Sequence, residues 1–136
     1  MPESASHKRL LEELTEWIRT EYDGNKDLFI WTDSPQDGAS KAPIRIEGFV
    51  PDVYAKFLSQ PRQIIGEAKT PRDLDTKHTE KQLTAFIRYC SKNKGAFLVL
   101  AVPWDYVRYA RNLIKYWKRK HQAQNVEAIV LEMLSG

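Results

Sequence analysis

Between Leu10 and Tyr22 the apolar side chains fall at Leu10, Leu11, Leu14, Trp17, Ile18 and Tyr22. Steps of three and four residues put them on one face of a helix, so the first element predicted is an amphipathic helix from Ser6 to Tyr22. Ser4 or Ser6 offers a hydroxyl to cap its start, and Asp23-Gly24-Asn25 offers residues that stop it. Glu13 stands at the border of the apolar stripe, one turn before Trp17, whereas Glu12 and Glu16 project away from it.

The period then changes. Leu28–Thr32 (LFIWT) is a short β-favouring run, and Asp33–Pro43 is a polar, turn-rich loop suited to facing a ligand. Ile44-Arg45-Ile46-Glu47 alternates as an edge strand does. Val53–Leu58 and Arg62–Lys69 are two further β-favouring runs joined by Ser59-Gln60-Pro61, which predicts a hairpin. Asp75 or Thr76 caps a second helix with the stripe Leu83, Phe86, Ile87 and Cys90, ending near Asn93-Lys94-Gly95. Ala96–Val102 (AFLVLAV) is continuously apolar, as a strand covered on both faces is, and is expected at the centre of the sheet after a parallel crossover. Asp105 is expected to cap a third helix reaching about His121, and Val126–Leu131 reads as a last strand. The order α-β-β-β-α-β-α-β predicts an α/β (α+β) fold, a mixed central sheet flanked by helices, in a single domain over residues 1–136.

Composition narrows this only a little. At 136 residues and 42% apolar the chain can bury one core, and a net charge of +3 means that any affinity for a polyanion has to come from local clustering. The single cysteine, Cys90, lies inside an apolar helical pattern, which excludes a disulfide framework and points to a reducing cytoplasm. No apolar run approaches the ~20 residues needed to span a bilayer, and MPESASHKRL lacks the apolar stretch of a signal peptide, so no membrane partner is expected.

The chemistry concentrates between Gly48 and Thr70 (GFVPDVYAKFLSQPRQIIGEAKT). A hairpin folds Asp52 back toward Glu67, and two carboxylates meeting at one point suit Mg²⁺ or Mn²⁺, which take oxygen ligands and keep several waters. Residues two apart on a strand share a face, so the Lys69 ammonium falls beside Glu67, while Ala68 points away and offers its backbone carbonyl. Such a group suits metal-assisted phosphodiester hydrolysis, with Lys69 orienting the attacking water and stabilising charge. Taken alone, Asp52 is also an ordinary turn aspartate; Glu67 is harder to explain that way, because it follows Ile64-Ile65 in a strand headed for the core.

Pro51-Asp52 followed by Glu67-Ala68-Lys69, with a helix before and a helix and strand after, resembles the PD-(D/E)XK nuclease superfamily, which includes restriction enzymes, Holliday-junction resolvases and RecB-type nuclease domains. The resemblance covers Ser6 to Val102 in element order and two short motifs in residue identity. It implies a restriction endonuclease-like αβββαβ core, here with an added C-terminal helix and strand. It also implies a divalent metal held by Asp52, Glu67 and the carbonyl of Ala68, with Lys69 as catalytic lysine and a glutamate from the first helix, for which Glu13 is best placed and Glu12 and Glu21 are fallbacks. Some members carry Gln-x-x-x-Tyr in the next helix; here Gln82 is followed by Phe86 and then Tyr89.

The implied activity is a Mg²⁺-dependent endonuclease acting on DNA rather than RNA, with Mn²⁺ able to substitute and a homodimer as the arrangement that reaches both strands. The competing reading is a catalytically inactive module of the same fold that holds nucleic acid or a partner protein. The third helix offers Arg108, Arg111 and Lys115 on one face, either a track for phosphates or a solvated surface. His7, His78 and His121 have no metal-ligand spacing.

Overall fold

The computed structural model describes residues 4–22, 24, 27–33 and 44–133. Helix α1 spans Ala5–Glu21 and begins where the Ser4 hydroxyl accepts the His7 N–H at 3.0 Å. Its stripe buries Leu10, Leu11, Leu14 and Ile18. Strands β1 (Leu28–Thr32), β2 (Val53–Phe57) and β3 (Gln63–Ala68) form an antiparallel meander. After a single-turn helix α2 (Pro71–Leu74) comes α3 (Lys77–Lys92), which Thr76 caps by accepting the Thr79 N–H at 3.1 Å. Strand β4 (Ala96–Pro103) pairs parallel to β3. A 3₁₀ turn (Trp104–Tyr106), helix α4 (Val107–Lys120) and β5 (Ala128–Met133), parallel to β4, complete the chain.

The result is an α+β fold with a five-stranded mixed sheet in the spatial order β1-β2-β3-β4-β5. Successive parallel connections of the usual right hand put α3 and α4 on one face, leaving the other to α1. Strand alternation divides the core accordingly. Ile65, Leu98, Leu100 and Val102 face α3 and α4, while Ile64, Ala68, Phe97, Val99 and Ala101 face α1. Gly66 lies on the α1 side, and a Cβ there would stand 3.3 Å from Leu14 Cδ2 and 3.2 Å from Val53 Cβ. That close approach fixes α1 over β3.

Four expectations are corrected. Ile44–Glu47 is not a strand: Ile46 and Phe49 make one isolated bridge around Glu47 and Gly48, whose φ values of 50° and 88° turn the chain back at once. β3, not β4, is the middle strand, because the added β5 occupies the edge beyond β4. Asp105 does not cap the third helix; it lies inside the 3₁₀ turn, and α4 begins after it with no side-chain cap. The last strand starts at Ala128 rather than Val126, which is instead buried in the connection from α4. The anticipated loop over Asp33–Pro43 lies, beyond Asp33, outside the described residues.

Candidate active site

The hairpin register explains why the two carboxylates meet. Val53 pairs with Gly66, so the next rung sets Asp52 opposite Glu67. There the regular ladder gives way to side-chain bonds: the Asp52 N–H donates to Glu67 Oε1 at 2.8 Å, and Asp52 Oδ2 accepts the Ala68 N–H at 2.9 Å. The Asp52 carbonyl accepts the Asp33 N–H at 2.9 Å, which ties the end of β1 to the same point. Pro51, which has no N–H to offer a ladder, is buried immediately before.

Glu67 and Lys69 sit on the α3 side of the sheet, as their two-residue spacing demands. Glu67 is 1% exposed and Lys69 8%. Lys69 Nζ lies 3.6 Å from Glu67 Oε2 and donates to Gln82 Oε1, on α3, at 2.5 Å. The Lys69 N–H also donates to the Ala101 carbonyl at 3.0 Å, which continues the β3–β4 pairing to the lysine itself. Thr76 is the α3 cap, so Gln82 is not needed to finish the helix start and is free to serve the lysine.

Burial is the main reason that Glu67 holds its proton far more tightly than an ordinary glutamate; the Asp52 carboxylate adds to it, and Lys69 opposes it. One turn before Gln82, the Thr79 hydroxyl is buried and has no hydrogen-bond partner among the described residues. Cys90, further along α3, is an inert core thiol pushed up to about 12 by burial.

The structure therefore brings together Asp52, Glu67, Ala68, Lys69 and Gln82. None of them makes a hydrogen bond or ion pair with Glu13, which is half-buried on α1 and makes none with any other described residue. The group that α1 supplies is His7, whose Nε2 lies 3.1 Å from Asp52 Oδ2. His7 stands about 9 Å nearer the helix start than Glu13, at six residues of 1.5 Å each. The available signal was its position three and four residues before Leu10 and Leu11, which extends the buried stripe by one turn. His78 is exposed and meets Phe49 edge-on.

Among the described residues no cluster of three or more His, Cys, Asp and Glu side chains is arranged to hold an ion. The donors here are two carboxylates and a backbone carbonyl, which fits Mg²⁺, an ion that takes one or two carboxylates and keeps its waters. The geometry agrees with that fit: His7 and the Ala68 N–H both meet the Asp52 carboxylate at one oxygen, Oδ2, and the Asp52 N–H binds Glu67 Oε1, so the two carboxylates are held at one point. Neither a family model, nor a curated protein, nor a solved structure matches this chain.

Proposed function

We propose that the chain is a divalent-metal-dependent nuclease that hydrolyses phosphodiester bonds in DNA, built on a restriction endonuclease-like core. The observation that carries this reading is the convergence of Asp52, Glu67 and Lys69 with Gln82 at the end of β3, with Glu67 and Lys69 buried. Buried charges of this kind destabilise a fold unless they are paired, and such groups gather at functional sites.

Asp52 and Glu67, with the Ala68 carbonyl, would hold the metal. When bound, the ion supplies a water of lowered pKa and neutralises negative charge on the phosphate. Gln82 accepts one Lys69 N–H, so the ammonium is held at a fixed place with donors left for the attacking water or a phosphate oxygen. The Ala68 N–H and His7 hold Asp52 from the other side and limit its rotation. Lys69 acts through its charge and its donors.

The test is cleavage of single-stranded, duplex and branched DNA with Mg²⁺ or Mn²⁺, alongside calorimetric Mn²⁺ titration. Asp52→Ala should abolish both cleavage and the Mn²⁺ heat; Lys69→Ala should abolish cleavage and spare the heat. Cleavage that survives in both variants overturns the reading. DNA binding without cleavage or a carboxylate-dependent Mn²⁺ heat would mark the chain as a non-cutting module.

A further inference from the structure

The basic character of this protein resides in one helix. α4 carries Arg108, Arg111, Lys115, Lys118, Arg119 and Lys120 and no carboxylate. The whole chain is net +3, so subtracting the six charges of α4 leaves −3 for everything else. Val107, Ala110, Ile114 and Trp117 bury the opposite side of the helix, and Arg108, Arg111, Lys115 and Arg119 line its exposed side. Steps of three, four and four residues make these four a strip about 17 Å long. Lys120 reaches Glu80 at 3.8 Å; the other five cations have no carboxylate partner among the described residues. Cations held apart from carboxylates along one face form a surface for a polyanion.

The strip begins at the end of the sheet where β3 and β4 finish. β4 ends beside Lys69, through the Ala101 carbonyl, and Trp104 follows three residues later, within about 11 Å along the chain. Trp104, with the largest of the aromatic side chains, is 61% exposed. Tyr109, in the first turn of α4, donates to Asp75, which ties the start of the strip to the segment between Lys69 and α3. Tyr116, 54% exposed, stands among the cations further along.

Resting on the nuclease reading, we propose that α4 and Trp104 form the substrate track: the strip follows the phosphates of one strand away from the scissile bond, and Trp104 stacks on an unpaired base next to it. In a continuous duplex every base already stacks on its neighbours, so an exposed indole finds a partner only where bases are unpaired. The preferred substrate is thus DNA with a single-stranded segment at the cleavage point, such as a tail or flap.

The experiment is equilibrium binding of fluorescent oligonucleotides in EDTA, where no cleavage interferes, with a single strand, a blunt duplex and a tailed duplex between about 50 and 200 mM salt. Tailed and single-stranded DNA should bind more tightly than blunt duplex. Trp104→Ala should weaken the first two by about 5- to 100-fold and leave blunt duplex unchanged. The triple variant Arg108→Ala, Arg111→Ala, Lys115→Ala should lower the salt slope on single strands by about 2, at ~0.7 for each phosphate no longer neutralised. All four side chains are exposed, so the variants should melt as the parent does.

Equal affinity for blunt and tailed DNA, or indifference to Trp104→Ala, overturns the proposal. So does phosphatidylserine-vesicle binding that depends on these residues while DNA binding does not. Cleavage in Mn²⁺ is scored separately: binding as described without cleavage would sink the nuclease reading and not the track, and cleavage with unaltered binding in the variants would do the reverse.

Discussion

Replacing Glu67 by Gln separates what this residue does for the fold from what it does for function. The side chain is 1% exposed, and burial with the facing Asp52 carboxylate raises its proton affinity despite Lys69 at 3.6 Å. A group whose folded pKa is raised contributes stability that is complete below its unfolded value, about 4.3, and is lost as pH climbs through the folded value. In that window the folded state binds one more proton than the unfolded state, so wild type loses ~1.4 kcal/mol per pH unit relative to a neutral isostere. Gln keeps an oxygen to accept the Asp52 N–H, now 2.8 Å from Glu67 Oε1. The attraction of Lys69, 3.6 Å from Glu67 Oε2, is already part of the folded proton affinity and adds no further slope. Urea unfolding of both proteins in EDTA from about pH 4 to 8 measures the difference directly. The expected result is a difference that moves in favour of Glu67→Gln as pH rises above about 4.3 and then levels off. Saturating Mn²⁺ should reverse it, stabilising wild type by about 2.7 kcal/mol at a hundredfold excess over Kd and leaving the variant unmoved. A difference constant across pH, or one that grows in favour of wild type, refutes the argument.

Three further outcomes probe the supports of the site. Gly66→Ala should destabilise the protein by about 1–3 kcal/mol in chemical denaturation, because its Cβ would press at 3.2 Å on Val53 and 3.3 Å on Leu14; an unchanged midpoint would show that α1 shifts freely over β3. His7→Ala should lower Mn²⁺ affinity about 10-fold or more by calorimetry, since it frees the Asp52 carboxylate on one side; affinity equal to wild type would assign His7 to packing alone. Thr79→Val removes a buried hydroxyl without a partner among the described residues and should stabilise the fold by about 1 kcal/mol in thermal unfolding, while a loss of stability would mean that the hydroxyl is satisfied in solution.

The elements and most of the site were legible because they depend on local periods. A spacing of two on a strand was enough to set Glu67 and Lys69 on one face, and the polar break at Ser59-Gln60-Pro61 was enough to fold Asp52 back toward them. The contact that α1 makes with Asp52 was not legible, and it comes from His7. Which turn of α1 meets the carboxylates depends on how far the helix slides along the sheet, and that is set where Leu14 packs on Gly66, a contact between distant parts of the chain. The stripe defines which side of the helix is buried but not which end of it reaches Asp52. Likewise, Ile44–Glu47 alternates like a strand, yet the left-handed pair Glu47 and Gly48 reverses the chain before a ladder can form.

The arrangement also explains why so much polarity is tolerated at the end of a buried strand. β3 is the middle strand, and both of its faces are covered as far as Ala68. A carboxylate on such a strand can reach solvent or a ligand only near the last rung, and Glu67 is the penultimate residue. Moving the pair one rung toward Ile65 would place it among Leu83, Phe86 and Leu98, where neither Gln82 nor Asp52 could meet it. If the proposed nuclease reading holds, a phosphodiester has to approach along the same end of the sheet. Among the described residues, α1 covers one face of the sheet and α3 and α4 cover the other, which leaves the strand end, with the start of α4 following the end of β4. On that reading a substrate arriving there would meet the most basic of the described helices, which would make the position of Glu67 and the cations of α4 parts of one requirement.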